Sequence, residues 1–209
     1  MMNSERNLEF WKTRTNDQAE NRPVDYATQP GKAKDIMAFL EENGVTIRHN
    51  TSVLDVGCNV GRLLDAFREA GSKPKHLFGI EPNPNAHSER PKHFPDLLES
   101  NILQGTASQY LPRLQRKFTF GSAIAVLVHL TDEERMEILN YFNEHCKYIV
   151  LGVNKYGTRR QDESGKREGR IWNPDNDLQV SATGATLLAE RPWGPLPTWS
   201  LQLWRTTRK

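Results

Sequence analysis

The sequence predicts an α/β protein with a mostly parallel sheet, helices on both faces and a C-terminal antiparallel hairpin. Three observations predict this class. Short apolar runs alternate with helix-length segments between residues 52 and 153, the pattern of parallel strands joined by right-handed crossovers. A glycine-containing turn separates the first run from the first helical segment, as in open α/β sheets. Two later strand-like runs flank a proline-rich stretch, which predicts a hairpin.

Each element has its own signal in the sequence. Apolar runs predict parallel strands at residues 52–56, 76–80, 101–104, 118–126 and 147–153. Apolar residues at helical spacing predict helices at residues 32–42 and 62–70. Thr131 and Glu134 form a capping box, which predicts that a third helix begins directly after Thr131. The two hairpin strands are expected at residues 187–190 and 199–204.

The domain organisation follows from length and local composition. A chain of 209 residues suits one domain with a sizeable core, which we place at residues 31–209 behind an N-terminal arm or lid at residues 1–30. Residues 154–177 are rich in glycine and charge and come after the fifth strand. We therefore expect a long loop there on the substrate side of the sheet, either as a docking surface for an anion or as a solvated loop.

Charge and cysteine content limit the classes of partner and compartment. The formal net charge is +2, which is too small for a protein that holds nucleic acid with its whole surface. Two cysteines, Cys58 and Cys146, make no disulfide framework and favour a reducing compartment. The first 20 residues lack the apolar core of a signal peptide, and no apolar run reaches the roughly 20 residues that span a bilayer. We expect a cytoplasmic protein without a membrane partner.

The turn after the first strand carries the functional argument. Its sequence, Asp-Val-Gly-Cys-Asn-Val-Gly, places Asp55 two residues before Gly57, with Gly61 four residues further on. Glycine there lets the backbone turn tightly and approach a ligand closely. Dinucleotide sites instead use the spacing G-x-G-x-x-G to seat a pyrophosphate. A carboxylate such as Asp55 suits a ligand with cationic groups and would be unfavourable against a pyrophosphate.

This turn resembles motif I of the class I, Rossmann-like S-adenosylmethionine-dependent methyltransferases. The resemblance covers residues 52–153 and implies that S-adenosylmethionine is the cofactor. Phe-Gly-Ile-Glu-Pro-Asn resembles the family's second landmark, in which an acidic residue, here Glu81, bonds both ribose hydroxyls. The resemblance assigns the following residues to cofactor binding: Asp55, Gly57, Cys58, Asn59, Gly61, Glu81 and Pro82.

Two further landmarks and the N-terminal arm complete the expected cofactor site. After the third strand the family often has an aspartate that bonds the adenine amino group, and this chain has Thr106 at that position. We expect backbone groups of Thr106 and Ala107 to contact the adenine instead. Ala125 begins a stretch that resembles the end of the family's fourth strand. Trp11 and Arg22 lie in the arm, which either folds over the cofactor, with the arginine on its carboxylate, or is a loosely packed terminus.

The acceptor is less constrained by the sequence than the cofactor. His129, in the Val-Leu-Val-His-Leu stretch after the fourth strand, is the candidate general base for a hydroxyl acceptor, the alternative being a helix-capping or packing role. Histidines and cysteines show no metal-ligand spacing. We expect a small polar acceptor, sugar-like or anionic. The alternatives are a methyltransferase for RNA or protein, a non-catalytic scaffold and, least favoured by the glycine spacing, a nicotinamide-dependent oxidoreductase.

Overall fold

The fold was examined in a computed structural model, which describes residues 8–9, 12, 30–154, 176–193 and 199–208. Trp11, Arg22 and most of the predicted loop at 154–177 lie outside the described residues. The described part contains one seven-stranded sheet in the order β3-β2-β1-β4-β5-β7-β6. The predicted fold class is confirmed by this sheet and by the helices on its two faces.

The strands are β1 Val53–Val56, β2 Leu77–Glu81, β3 Ile102–Gln104, β4 Phe118–Ile124, β5 Cys146–Asn154, β6 Thr186–Pro192 and β7 Trp199–Arg205. The α-helices are α1 Pro30–Glu42, α2 Arg62–Glu69, α3 Pro84–His93, α4 Ala107–Tyr110, α5 Asp132–His145 and α6 Asn176–Ala182. Short 3₁₀ turns lie at Pro74–His76, Glu99–Asn101, Leu111–Arg113 and Leu127–His129.

The strand pairing brings the carboxyl ends of five strands to one edge of the sheet. Strands β1 to β5 are parallel to their neighbours, whereas β7 runs antiparallel to both β5 and β6. The predicted C-terminal hairpin is therefore confirmed, with β7 inserted between β5 and β6. In an open α/β sheet, ligands bind outside the carboxyl ends of the parallel strands, so a ligand site is expected at this edge.

Two apolar cores cover the faces of the sheet. One core contains side chains of α1, α2 and α3, including Ile36, Leu64 and Ala86. The other contains side chains of α5 and α6, including Leu139 and Val180. On β7, Leu201 and Leu203 belong to the first core and Trp204 to the second, because successive side chains of a strand point to opposite faces of the sheet. No helix among the described residues has the length and apolar character needed to cross a bilayer.

The structure differs from the predicted elements at β4, at α6 and at two helices that were not predicted, α3 and α4. Strand β4 ends at Ile124, two residues early, because Ala125 has a positive φ of 60° that extended backbone cannot accommodate. Helix α3 was not predicted, since only Ala86 and Arg90 of it are buried and it has no apolar stripe. Helix α6 begins at Asn176, so the end of the predicted loop at 154–177 is helical.

Candidate functional site at the carboxyl edge of the sheet

The turn between β1 and α2 forms one wall of the candidate site. The backbone N–H groups of Gly57 and Cys58 both donate to the carbonyl oxygen of Ile80, at 2.8 and 3.2 Å, which ties the turn to β2. Gly57 has a φ of 71°, and a Cβ atom there would lie 2.3 Å from Cγ2 of Val126. Glycine is thus required by both conformation and space at the point where the turn packs against Val126, two residues after the end of β4.

Glu81 is held at the end of β2 by the same turn. One carboxylate oxygen, Oε2, accepts the N–H of Asn59 at 2.9 Å, and the other, Oε1, accepts the N–H of Asn83 at 2.9 Å. The side chain is buried, and its orientation is fixed by two bonds to backbone. An ionised carboxylate has about four acceptor positions. Glu81 can therefore accept two further donors, such as a pair of vicinal hydroxyls, without giving up either backbone bond.

Asp55 lies deeper in the sheet, on β1. Its Oδ1 accepts a 2.6 Å hydrogen bond from the hydroxyl of Ser122, the residue paired with it on β4. Asp55 is 4% exposed. The role of Ser122 was missed by the sequence analysis, because the contact depends on the register of two strands separated by 67 positions.

Burial gives both carboxyl groups unusual proton affinities. Burial raises the pKa of Asp55 to about 7, although the hydrogen bond from Ser122 lowers it. The negative charge of Glu81 adds a smaller increase. Burial also raises the pKa of Glu81 to about 7, although the hydrogen bonds from the two backbone N–H groups lower it. No cationic side chain among the described residues forms an ion pair with either group. Two desolvated carboxyl groups without a cation favour a ligand that carries positive charge.

The raised pKa of Asp55 predicts how stability depends on pH. Between about pH 4 and about pH 7 the folded ligand-free protein binds more protons than the unfolded chain, so the free energy of unfolding falls as pH rises. We expect Asp55→Asn, which keeps an oxygen for Ser122, to flatten this decrease by on the order of 2–4 kcal/mol. Urea unfolding of both proteins at about pH 5 and about pH 7.5 measures this change in the free energy of unfolding.

The matched control for this prediction is Asp35→Asn, since Asp35 is exposed on α1. This control should keep the pH dependence of the wild-type protein. A free energy of unfolding that changes with pH equally in wild type and Asp55→Asn would contradict the assignment of a raised pKa to Asp55.

Cys58, Asn59 and Gly61 complete the turn. Cys58 is buried against Gly79 of β2, and burial raises the pKa of its thiol well above the ordinary range, so the side chain fills space as a neutral thiol. Asn59 has a positive φ of 52°, and its side-chain oxygen accepts the N–H of Val60 at 2.7 Å. Gly61 is the N-cap of α2. The N-terminal end of α2 therefore faces the site with no capping side chain.

The loop after β3 forms the second wall. The N–H of Gly105 donates to the carbonyl oxygen of Glu81 at 3.0 Å, which fixes the loop beside the end of β2. The N–H of Thr106 donates to Oε1 of Gln109 at 2.9 Å and is thus already engaged within the chain. Ala107 is the first residue of α4, a position whose N–H has no acceptor within the helix. Of the two predicted backbone contacts, Ala107 is the better placed donor.

The end of β4 forms the third wall and carries His129. The N–H of Ala125 donates to the carbonyl oxygen of Gly152 on β5 at 2.9 Å. His129 is half-buried in the 3₁₀ turn that follows. The buried Arg135 of α5 holds this turn through a 3.1 Å bond from Nη1 to the carbonyl oxygen of Leu127 and also pairs with Asp132. Arg135 was missed because an arginine in an amphipathic helix is normally assigned to the solvent face.

The structure thus brings together the predicted residues at the ends of β1, β2, β3 and β4. The residues at this edge are Asp55, Gly57, Cys58, Asn59, Gly61, Glu81, Pro82, Thr106, Ala107, Ala125 and His129. Their placement agrees with a single site, whereas the contact of each with a ligand stays a prediction. Trp11 and Arg22, predicted to close the site, lie outside the described residues.

Comparisons with known proteins bear on the same part of the chain. A family model described as "Methyltransferase domain" matches residues 24–176, well over half of the chain. Comparison with curated protein sequences yields no match. The structure is similar to magnesium protoporphyrin IX methyltransferase from Synechocystis PCC 6803 with bound SAH, with 16% identity, a TM-score of 0.65 and coverage of 98% of this chain and 93% of that one.

Two other solved structures share the fold over most of their length. An S-adenosylmethionine-dependent methyltransferase from Clostridium acetobutylicum is 12% identical, with a TM-score of 0.62, and the match covers 89% of this chain and 95% of that one. DesVI of Streptomyces venezuelae is 17% identical, with a TM-score of 0.62, and the match covers 93% of this chain and all of that one, 100%. At these identities the likeness concerns the fold.

Proposed function

The chain belongs to the family of methyltransferase domains, and on that premise we propose that it transfers a methyl group from S-adenosylmethionine to a small polar acceptor. The observation that carries the proposal is the pair of buried carboxyl groups, Asp55 and Glu81, on either side of the turn at Gly57. S-adenosylmethionine carries a sulfonium and an ammonium, whose positive charges suit Asp55, and a ribose diol, whose two hydroxyls can donate to Glu81. The similar structures with bound SAM or SAH support this cofactor.

The residues present fit such a cofactor. Glu81 is fixed by two backbone bonds and retains acceptor capacity for two hydroxyls. Asp55 is a buried carboxyl group with no cationic partner among the described residues, so a cationic ligand would stabilise its ionised form. A nicotinamide dinucleotide would instead bring a pyrophosphate close to both carboxyl groups, which is electrostatically unfavourable.

Within this proposal each residue has a role that its position supports. The cofactor, when bound, supplies an electrophilic methyl group, so the protein contributes orientation and electrostatics. Glu81 orients the ribose, Asp55 offsets positive charge, and the backbone at Gly57 allows close approach. His129 accepts the proton of a hydroxyl acceptor as the oxygen attacks.

Calorimetric titration with S-adenosylmethionine, S-adenosylhomocysteine and NAD tests the cofactor assignment. We expect both adenosyl ligands to bind with dissociation constants in the micromolar range, on the order of −8 kcal/mol, and NAD to show no binding. Well-folded protein that binds neither adenosyl ligand would contradict the proposed function and leave a scaffold with the same fold. Binding of NAD alone would favour an oxidoreductase.

The role of His129 gives a separate prediction. His129→Gln should lower kcat for a hydroxyl acceptor by about 100-fold to about 10,000-fold, the usual contribution of a general base, and leave S-adenosylmethionine affinity unchanged. Release of S-adenosylhomocysteine, measured with a panel of sugars as acceptors, gives the rate. His49→Gln is the control, because His49 is exposed in the loop before β1. Equal kcat in His129→Gln and wild type would exclude the base role.

A further inference from the structure

The amino edge of the sheet, opposite the proposed catalytic site, carries a concentration of positive charge. Five segments meet there, because each lies at the amino end of a parallel strand or at the carboxyl end of the antiparallel β7. We call them together the basic edge: residues 48–52, 73–76, 113–117, 145–147 and 205–208. Nine of the chain's 28 Lys and Arg residues lie in the basic edge, and none of its 26 Asp and Glu residues does. The rest of the chain therefore has a formal charge of −7 (19 against 26).

Contacts between the segments join the basic edge into one surface. The N–H of Lys73 donates to the carbonyl oxygen of His49 at 3.2 Å, which connects the segments before β2 and β1. Nη1 of Arg208 donates to the carbonyl oxygen of His145 at 2.8 Å, which connects the end of β7 to the start of β5. Strand β4 lies between β1 and β5 and is paired with both. The five segments thus follow one another over about 19 Å, at about 4.8 Å for each strand.

The positive charges of the basic edge are not neutralised by ion pairs. None of the nine cations forms an ion pair with another described residue. Arg116 and Arg208 are half-buried, and the other seven are exposed: Arg48, Lys73, Lys75, Arg113, Lys117, Lys147 and Arg205. Glu144, which directly precedes residues 145–147, lies 4.0 Å from Nε2 of His145. The basic edge therefore presents uncompensated positive charge to the solvent.

The imidazole of His76 responds to this accumulated charge. Burial lowers the pKa of His76, and so do the positive charges around it, which belong to Lys75, Arg116, Lys73 and His49. These four groups come from three of the five segments, and each acts in the same direction. The positive field is thus a property of the assembled sheet edge and not of one run of the sequence.

Two features of the basic edge favour the phosphate groups of a nucleic acid over a membrane surface. Five of the nine cations are arginines, whose planar guanidinium forms bidentate hydrogen bonds with phosphate. The guanidinium of Arg116 lies 4.2 Å from the ring centroid of Phe78 and is thereby held in place. A membrane-binding surface normally adds exposed apolar side chains. The large exposed ones among the described residues belong to none of the five segments: Leu98, Leu187 and Leu188.

We propose that the basic edge binds the phosphate backbone of a nucleic acid, without recognition of its bases. A row of about 19 Å spans about five phosphates of one strand at the 3.4 Å spacing of a duplex. The seven residues of β4 separate the basic edge from the carboxyl edge by roughly 20 Å. A nucleic acid at the basic edge leaves the carboxyl edge open, so it is a docking partner and not the methyl acceptor. The inference is independent of the cofactor assignment.

The test is the fluorescence anisotropy of a labelled oligouridine of about 20 nucleotides, titrated with the full chain. Binding through phosphates releases counterions, so the affinity must fall with salt. We expect saturable binding at about 50 mM salt. The slope of log K against log salt should be about −3, as for about four phosphates neutralised on a single strand.

Two fourfold variants with the same change in net charge locate the binding surface. One removes exposed charges of the basic edge: Lys73→Gln, Lys75→Gln, Arg113→Gln and Lys147→Gln. It should bind oligouridine at least about tenfold more weakly, with a smaller salt slope. The matched control removes four charges from residues 154–170 and should bind as wild type does: Lys155→Gln, Arg159→Gln, Arg160→Gln and Lys166→Gln. Circular dichroism confirms that both variants fold.

The other outcomes overturn the inference. Absence of saturable binding does so, as does equal affinity in the basic-edge variant and wild type. Equal weakening in both variants would show that only net charge matters, and weakening in the control alone would assign the binding to residues 154–170. Tighter binding, at equal charge concentration, to phosphatidylserine–phosphatidylcholine vesicles or to polyglutamate would assign the basic edge to a membrane or to an acidic protein. Binding of S-adenosylhomocysteine is measured separately, so failure of the cofactor assignment leaves this result unchanged.

Discussion

Glu81→Ala is expected to weaken the binding of S-adenosylmethionine by at least about 100-fold. Each hydrogen bond from a ribose hydroxyl to an ionised carboxylate contributes about 1.5–3 kcal/mol, so the loss of two such bonds amounts to about 3 kcal/mol or more. Alanine also removes the acceptors for the N–H groups of Asn59 and Asn83, which loosens the turn after β1. Calorimetric titration of each variant measures the dissociation constant.

A conservative variant separates these two contributions. Glu81→Gln retains one side-chain oxygen for a backbone N–H but removes the charge and one acceptor position, so its affinity should fall between those of wild type and Glu81→Ala. Glu99→Gln, at an exposed position before β3, should bind like wild type. Circular dichroism confirms that all variants fold. Wild-type affinity in both Glu81 variants would contradict the assignment of Glu81 to the ribose.

Gly57→Ala is expected to have the second largest effect, on both stability and cofactor binding. A non-glycine residue with a left-handed backbone costs about 1–2 kcal/mol. At Gly57 the new methyl group would also overlap Cγ2 of Val126, at 2.3 Å, and overpacking of this kind typically adds about 1–3 kcal/mol. We expect a total loss of roughly 2–5 kcal/mol in the free energy of unfolding, measured by urea denaturation, and a large loss of affinity.

The chain offers a closely matched control for this variant. Gly44 has a φ of 73°, nearly that of Gly57, but a Cβ atom there would have nothing within 4 Å. Gly44→Ala should thus show only the backbone cost, with unchanged cofactor affinity. Adding Val126→Ala to Gly57→Ala removes the overlapping atom and should restore part of the stability. Equal losses in Gly44→Ala and Gly57→Ala would show that space at Gly57 is unimportant.

Features encoded by neighbouring residues were predictable from the sequence. The capping box at Thr131 is present, and α5 begins directly after it, because both partners of the box lie within one helical turn. The glycine turn after β1 and the acidic residue at the end of β2 were recognised for the same reason. Helix α3 was not predicted, because it has no apolar stripe. Its start is fixed by the N-cap Asn83 and by Pro84 at its first position.

Features that depend on tertiary contacts were out of reach of the sequence. The bond between Asp55 and Ser122 joins β1 to β4, and the overlap of Gly57 with Val126 arises where two separate strand ends meet. Arg135 is buried because a carbonyl oxygen of a different element lies above it. Alternation of polar and apolar residues carries no information about such pairs, since it reports which face is buried and not what the face contacts.

The place of β7 in the sheet has a consequence for synthesis on the ribosome. Although β7 follows β6 in the chain, it lies between β5 and β6. Until residues 199–205 have emerged from the exit tunnel, β6 has no strand partner and β5 is paired on one side only, with β4. Until then the nascent chain exposes an open strand edge on β5, and open edges are where intermediates aggregate. Completion of the sheet on this side therefore waits for β7, and a chaperone that shields the open edge of β5 would raise the yield of folded protein.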